Sequence, residues 1–350
     1  MSKKLNVGVI GLGMGRQHVK GFQSHPLAKV AALADLDKEL LNATAREYEV
    51  KNTYRDYEEM LQKEALDIVS IATPNHLHLP ISLAAFEAGC HVLCEKPMAL
   101  NAAEAKTMLA ASQKADKRLM INFSYRFLPQ SLALRQQVAE GVLGQIYYAR
   151  TVWHRRRGIP KLGGWFGQKQ YAGGGPLIDL GVHRLDLALW LMDYPQPTYV
   201  VGNCVHEIGA EIAAQAGKIF DVEDFAAGYI QFANGATLCL EASWVANIKE
   251  QELMETRLFG TKGGARHYNL REGYDFAVET YLAKEGFHYD VQLHDFPAGP
   301  SQNAMHHLVD AIVTNQPHIA TGAEGLIVME ILDALYHSAE TGQPVQIAPN

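Results

Sequence analysis

At 350 residues the chain is too long for one ordinary hydrophobic core and comfortable for two domains. Apolar residues make up 48% and charged residues 20%, a balance that excludes a disordered chain. A formal net charge of −7 argues against a nucleic-acid partner, whose phosphates require a basic surface.

Four cysteines (Cys90, Cys94, Cys204, Cys239) form no CxxC pair and have no histidine at metal-binding spacing. They read as buried free thiols, with no metal site, in a reducing compartment. The first apolar run, Leu5–Ile10, is broken at once by Gly11, Gly13 and Gly15. No signal-peptide cleavage site follows, and no stretch approaches the roughly 20 apolar residues of a membrane span. The expectation is a soluble, cytoplasmic protein without a membrane partner.

In chain order, Leu5–Ile10 is strand-like and a helix follows from about Arg16. Lys29–Ala34 is strand-like and Lys38–Tyr48 helical. Asp67–Ala72 is a strand, and His76–Ala88 a helix that stops at Gly89. His91–Cys94 is a short strand. Asn101–Ala115 is a helix with Asn101 as cap and Glu104 three residues on, and Leu119–Phe123 closes the series. Strands alternating with helices imply parallel β-α-β units. After about residue 123 the pattern changes. One helix runs from about Pro176 to Met192. Strand-like stretches follow at Thr198–Val205, Glu223–Phe232, Ala236–Trp244, Glu252–Phe259 and Ala265–Tyr268, with Asn234-Gly235 as a hairpin turn. Two helices, about Gln302–Thr314 and Ala323–Thr341, end the chain, while Gly158–Gly175 and Gly209–Gly217 read as irregular. The fold class is therefore α/β. A dinucleotide-binding domain spans 1–123. A second domain, 124–350, has an open, mainly antiparallel sheet, and its final helices can pack back on the first domain.

Gly11-Leu12-Gly13-Met14-Gly15 lies between a strand and a helix, the setting in which a glycine turn brings a pyrophosphate to a helix N-terminus. The third glycine comes one residue early, with Arg16 in its usual place. Asp35, at the end of the second strand, can hydrogen-bond a ribose hydroxyl pair and would repel a 2′-phosphate, favouring NAD. It can equally cap the helix beginning near Asp37. Arg16 keeps NADP open. Glu95-Lys96-Pro97 ends a parallel strand, where ligands sit, and Pro97 restricts Lys96 to extended backbone. Thr73-Pro74-Asn75-His76 ends another strand and also reads as a helix start. Asp179 and His183, four apart, share one helix face, although Asp186 can pair with His183 instead.

These motifs together resemble the Gfo/Idh/MocA oxidoreductases, the glucose-fructose oxidoreductase and inositol dehydrogenase group. The resemblance runs over nearly the whole chain. It rests on the glycine turn followed by His18, Thr73-Pro74-Asn75-His76, Glu95-Lys96-Pro97, Ala172-Gly173-Gly174-Gly175 leading into Asp179-Leu-Gly-Val-His183, and a last helix like Glu324–Tyr336. It implies a Rossmann domain, NAD or NADP as cofactor, and a homodimer or homotetramer built through the open sheet. Lys96, Asp179 and His183 match the family's catalytic residues. His183 suits the general base for a sugar hydroxyl, Lys96 would stabilise the developing oxyanion, and Asp179 would orient substrate or His183. Either Lys96 or His183 can take the proton. Gly11, Gly13, Met14, Gly15, Asp35, Thr73, Asn75, His78, Glu95 and Trp165 are expected at the cofactor. Tyr125, Arg156 and His307 are expected at the substrate, with Tyr171 as a further flat surface. The substrate class so implied is a sugar, inositol or derivative. Two other readings use the same residues: a reductase of a ketone or imine, and a non-catalytic NAD(P)-binding sensor.

Overall fold

The computed structural model describes residues 4–294 and 303–347. It divides into two compact units: residues 1–124 with 300–326, and residues 125–299 with 327–350.

The first unit alternates strands and helices: β1 (Leu5–Ile10), α1 (Leu12–Gln23), β2 (Ala28–Ala34), α2 (Lys38–Glu47), β3 (Asn52–Tyr54), α3 (Tyr57–Lys63), β4 (Ile68–Ile71), α4 (His78–Glu87), β5 (His91–Cys94), α5 (Ala102–Lys114) and β6 (Leu119–Ile121). Among the described residues these strands form one six-stranded sheet in the order β3-β2-β1-β4-β5-β6, with every pairing parallel. Strands buried on both faces need continuous apolar runs. β1, β4 and β5 supply them: Val7, Val9, Ile68, Val69, Ile71, Val92 and Leu93 have no exposed surface. The order reverses between β1 and β4, so the carboxyl ends of these two strands flank the crevice where open α/β sheets bind ligands. α2 and α5 start on side-chain caps. Asp37 accepts from the amides of Glu39 and Leu40, and Asn101 from that of Glu104.

In the second unit the elements are α6 (Pro129–Ala139), β7 (Ile146–Arg155), the single turn α7 (Lys169–Ala172), α8 (Val182–Leu191), β8 (Pro197–Val205), α9 (Glu207–Gln215), β9 (Phe225–Phe232), β10 (Thr237–Ser243), β11 (Glu252–Gly260), β12 (Gly263–Leu270), β13 (Asp275–Lys284) and β14 (Phe287–Gln292). α10 (Ala304–Thr314) belongs to the first unit, and α11 (Gly322–Thr341) and β15 (Val345–Gln346) end the described chain. Gln302, where the sequence starts α10, lies outside the described residues. The second sheet has the order β14-β13-β12-β11-β7-β10-β9-β8-β15. β7 and β10 pair parallel and all other neighbours antiparallel. The β9–β10 hairpin turns at Asn234-Gly235, where Gly235 has φ +83°.

Several expectations are corrected. β7, β13 and β14 are strands that the sequence pattern did not reveal, and α6 is a helix hidden by weak amphipathicity. α9 replaces an expected irregular stretch. The expected single helix from Pro176 to Met192 is a π-helical turn, Leu177–Gly181, followed by α8. All four cysteines are free, but only Cys90 and Cys94 are buried. Among the described residues no helix is long and apolar enough to cross a membrane.

Candidate active site

The glycine turn of the first unit divides its labour by position. Gly11 has φ +82°, and a Cβ there would stand 2.6 Å from the Ala72 carbonyl oxygen, so only glycine lets β1 turn beside the end of β4. A Cβ on Gly13 would have nothing within 4 Å, and Met14 beside it is 54% exposed. A Cβ on Gly15 would meet Val9 at 3.1 Å, so Gly15 seats α1 on β1. These are the turn, approach and packing roles of a dinucleotide fingerprint. The third glycine fills its role one residue early. Arg16 is turned away, paired with Glu47 on α2.

Asp35 does not cap α2, since Asp37 does. Its Oδ2 accepts from the Leu12 amide at 2.6 Å and its Oδ1 from the Asp37 amide at 2.8 Å. Asp35 thus ties the end of β2 to the first turn of α1, and each oxygen keeps a lone pair for a hydroxyl. After β4, Asn75 is buried in a short 3-10 turn (Asn75–Leu77), and the Thr73 Oγ1 is a buried hydroxyl oxygen without a hydrogen-bond partner. A bare backbone at Gly13, an anchored Asp35 and an unpartnered Thr73 hydroxyl fit a dinucleotide.

His78 is corrected. It was expected to line the cofactor, but its side chain has no exposed surface. Nδ1 lies 2.8 Å from the Pro97 carbonyl oxygen and Nε2 3.1 Å from that of Thr73. Burial lowers its pKa, while the two carbonyls oppose that shift. It is a strut joining the Thr73-Pro74 turn to the Glu95-Lys96-Pro97 turn. Glu95 also faces inward. Oε1 accepts from Asn122 at 2.6 Å and contacts His18 Nε2 at 2.8 Å, while Oε2 accepts from the Lys96 amide at 3.1 Å. His18 Nδ1 in turn meets Ser70 Oγ at 2.7 Å. Burial would raise the Glu95 carboxyl, but His18, then Asn122 and Lys96, hold it down at about 2. The half-buried anion fixes the peptide that carries Lys96, itself half-buried and joined to Pro97 by a cis bond.

His307 is also corrected. Its Nε2 accepts from the Ile319 amide at 3.0 Å, and its charged neighbours are His318, Asp310 and Arg118. Arg118 and His318 sit at the amino end of β6, opposite the strand ends where a ligand binds.

In the second unit, Glu223 organises the Gly173-Gly174-Gly175 turn. Its carboxylate accepts from the Gly175 amide at 2.8 Å, the Leu177 amide at 3.0 Å and the Tyr336 hydroxyl at 2.9 Å. A side chain on Gly175 would collide with the Glu223 backbone, and one on Gly174 with Tyr336. The turn leads into the π-helical segment, a local widening common at functional sites. Asp179 lies there, 9% exposed, and its Oδ2 accepts from the Trp244 indole at 3.0 Å. From Gly174 to Met192 every residue is buried except His183, which is half-buried. Its ring centroid lies 5.1 Å from that of Tyr125, edge to face, and 5.6 Å from that of Trp153. Asp186 is engaged elsewhere in the core. It receives Arg126 in a fully buried fork (2.6 and 3.0 Å) and the Tyr194 hydroxyl at 2.8 Å.

Tyr125 is 8% exposed and acts as a wall of His183; burial, above all, pushes its phenol up to about 12. Arg156 is exposed and donates to the Lys249 carbonyl at 3.3 Å. Alternation along β7 puts Arg155, not Arg156, on the face of Trp153. Arg155 Nε donates to Glu252 at 2.9 Å, and its guanidinium carbon lies 5.5 Å from the Trp153 ring centroid. Trp165 is half-buried and stacks on Phe166 at 3.8 Å; Tyr171 is half-buried on α7. Glu223, Trp153, Glu252 and Trp244 went unnoticed as site residues in the sequence, and no strand was expected around Trp153.

A parallel sheet with this glycine turn and an acidic residue closing its second strand defines a dinucleotide-binding domain. The model of an oxidoreductase family with an NAD-binding Rossmann fold matches residues 5–123, and that of the same family's C-terminal alpha/beta domain matches 135–347. The chain belongs to the Gfo/Idh/MocA oxidoreductase family, and its first domain is the family's NAD-binding domain. It is 33% identical to D-glucoside 3-dehydrogenase of Escherichia coli, over 99% of this chain and 98% of that one. It is 28% identical to myo-inositol 2-dehydrogenase of Thermotoga maritima, over 77% of this chain and 76% of that one. Among solved structures, levoglucosan dehydrogenase in complex with NADH and levoglucosan superposes with a TM-score of 0.88 at 26% identity, covering 99% and 100% of the two chains.

Proposed function

We propose that the protein is an NAD-dependent dehydrogenase that oxidises a secondary hydroxyl of a sugar, inositol or sugar derivative. The observation that carries this reading is His183, the single residue between Gly174 and Met192 with appreciable exposure, on an otherwise buried segment. When bound, NAD supplies a hydride acceptor at nicotinamide C4. His183 takes the hydroxyl proton, Lys96 hydrogen-bonds the reacting oxygen, and Asp179, held by Trp244, orients the substrate or His183. In the reverse direction the same groups return the proton to a ketone. Arg155 is neutralised by Glu252, which favours a polyhydroxylated substrate over an anionic one. The dehydrogenases of glucosides, levoglucosan and inositol among its relatives support the same class.

The open face of the second sheet supports self-association. Tyr148 and Phe259 meet at 5.3 Å there, beside the arginine-carboxylate pairs Arg150–Glu241 and Arg257–Glu255–Arg266. Aromatic and arginine side chains so interleaved suit a homodimer or homotetramer interface. The cytoplasm, where these free thiols stay reduced, is the compartment we propose.

The deciding experiment offers purified protein NAD and NADP separately with methyl glucosides, levoglucosan, myo-inositol and sugar acids. Growth of reduced-nicotinamide absorbance with NAD and a neutral polyol is expected. Silence across the panel, with NAD binding intact, would overturn the dehydrogenase reading.

A further inference from the structure

Arg184, next to His183, has no exposed surface. Among the described residues no carboxylate forms an ion pair with it, and its Nε and Nη1 have no hydrogen-bond partner. Its Nη2 reaches the Met254 sulfur at 3.8 Å. The guanidinium carbon lies 4.4 Å from the Tyr125 ring centroid, 5.4 Å from that of Trp153 and 5.5 Å from that of Phe276. An unpaired buried cation is among the costliest groups a core can hold, and aromatic faces offset only part of that. Two of the three rings, Tyr125 and Trp153, are those that wall His183.

We propose that Arg184 is a positioning residue for His183: its buried cation, lodged on the Tyr125 and Trp153 rings, keeps the imidazole neutral and ready to accept a proton, and holds those rings in place. The inference rests on His183 being the proton acceptor. Glu252 on β11 attracts Arg184 through charge, but its Oε1 already accepts from Trp153 at 2.7 Å, Arg155 at 2.9 Å and Tyr274 at 3.0 Å. Asp179 is held by Trp244, and Asp186 by Arg126. His267, on β12, stacks on Phe276 at 4.9 Å. Burial first, and Arg184 next, push His267 down to about 3. A cation behind water-excluding rings disfavours a second positive charge close by, with little screening.

The test is the titration of His183, followed by NMR of histidine-labelled protein and assigned by the signal lost in His183→Asn, beside the pH profile of kcat/KM with NAD and methyl glucoside, levoglucosan or myo-inositol. Arg184→Met should raise the His183 pKa by about one unit and move the acidic limb of kcat/KM upward with it. Arg184→Lys, which keeps the charge, should restore most of the shift. An unmoved His183 titration in folded Arg184→Met overturns the proposal. Should that variant fail to fold, Arg184→Gln is read in its place. Loss of the fold in both variants makes Arg184 structural only and also overturns the proposal. Failure of the underlying reading looks different: the NMR titration shifts, but His183→Asn keeps its turnover.

Discussion

Gly13→Ala separates cofactor binding from folding. Gly13 lies in the first turn of α1, and the added methyl would meet nothing within 4 Å, so it creates no clash. Replacing glycine by alanine in a helix gains up to about 0.5–1 kcal/mol from the unfolded chain's lost freedom. In a chain of this size that is a rise in melting temperature of roughly 1–3 °C without NAD. The same methyl stands where the pyrophosphate must approach the backbone. A loss of NAD affinity of tenfold or more is expected, each tenfold being about 1.4 kcal/mol. Thermal melting of the NAD-free protein and fluorescence titration with NADH read the two effects separately. Unchanged NADH affinity would refute the assignment of Gly13 to the cofactor. A lower melting temperature would refute the open space around it.

His183→Asn should lower kcat by about 10²–10⁴ while NADH affinity stays near wild type, and unchanged turnover would remove His183 from the chemistry. Asp35→Ala should weaken NAD more than NADP, and because Asp35 also holds the Leu12 amide, melting temperature should fall too; equal loss for both cofactors would sink the ribose assignment. Glu95 has its folded pKa depressed from 4.5 to about 2, so its contribution is complete above the unfolded value and is lost as pH falls through the folded one. Acid unfolding between about pH 5 and 2 should therefore be less steep in Glu95→Gln, checked by circular dichroism against pH. Asp186→Asn leaves the Arg126 guanidinium buried without its anion, and a loss of about 3–5 kcal/mol in urea unfolding is expected.

The first unit was largely legible because its signals are local. Short β-branched runs, caps such as Asn101 and the glycine turn each declare themselves within a few residues. The second sheet was less so. β7 carries Arg150 and Arg155 among its aromatics and β14 is exposed along its length, so neither shows a simple apolar face. The motif segments were legible as turns at strand ends, but side-chain surroundings were not. His78 and His307 look like ligands in sequence, and only the fold shows that one is a buried strut and the other lies at the wrong strand end. Arg184 and Glu223 carry no signal, because their meaning lies in neighbours such as Phe276 and Tyr336, remote in the chain.

The bond between Tyr336 and Glu223 has a consequence for biosynthesis. The turn that aims His183 needs a partner 113 residues later, and the first sheet likewise receives Ala320, whose carbonyl takes the Ile121 amide at 2.8 Å. A nascent chain halted at residue 300 would hold the glycine turn, Lys96 and His183, yet lack parts of both units. Neither unit can mature in simple order of emergence from the ribosome. Such a protein stays exposed to chaperones and proteases until its last helix is free, and C-terminal truncations should vanish from cells rather than persist as half-active fragments.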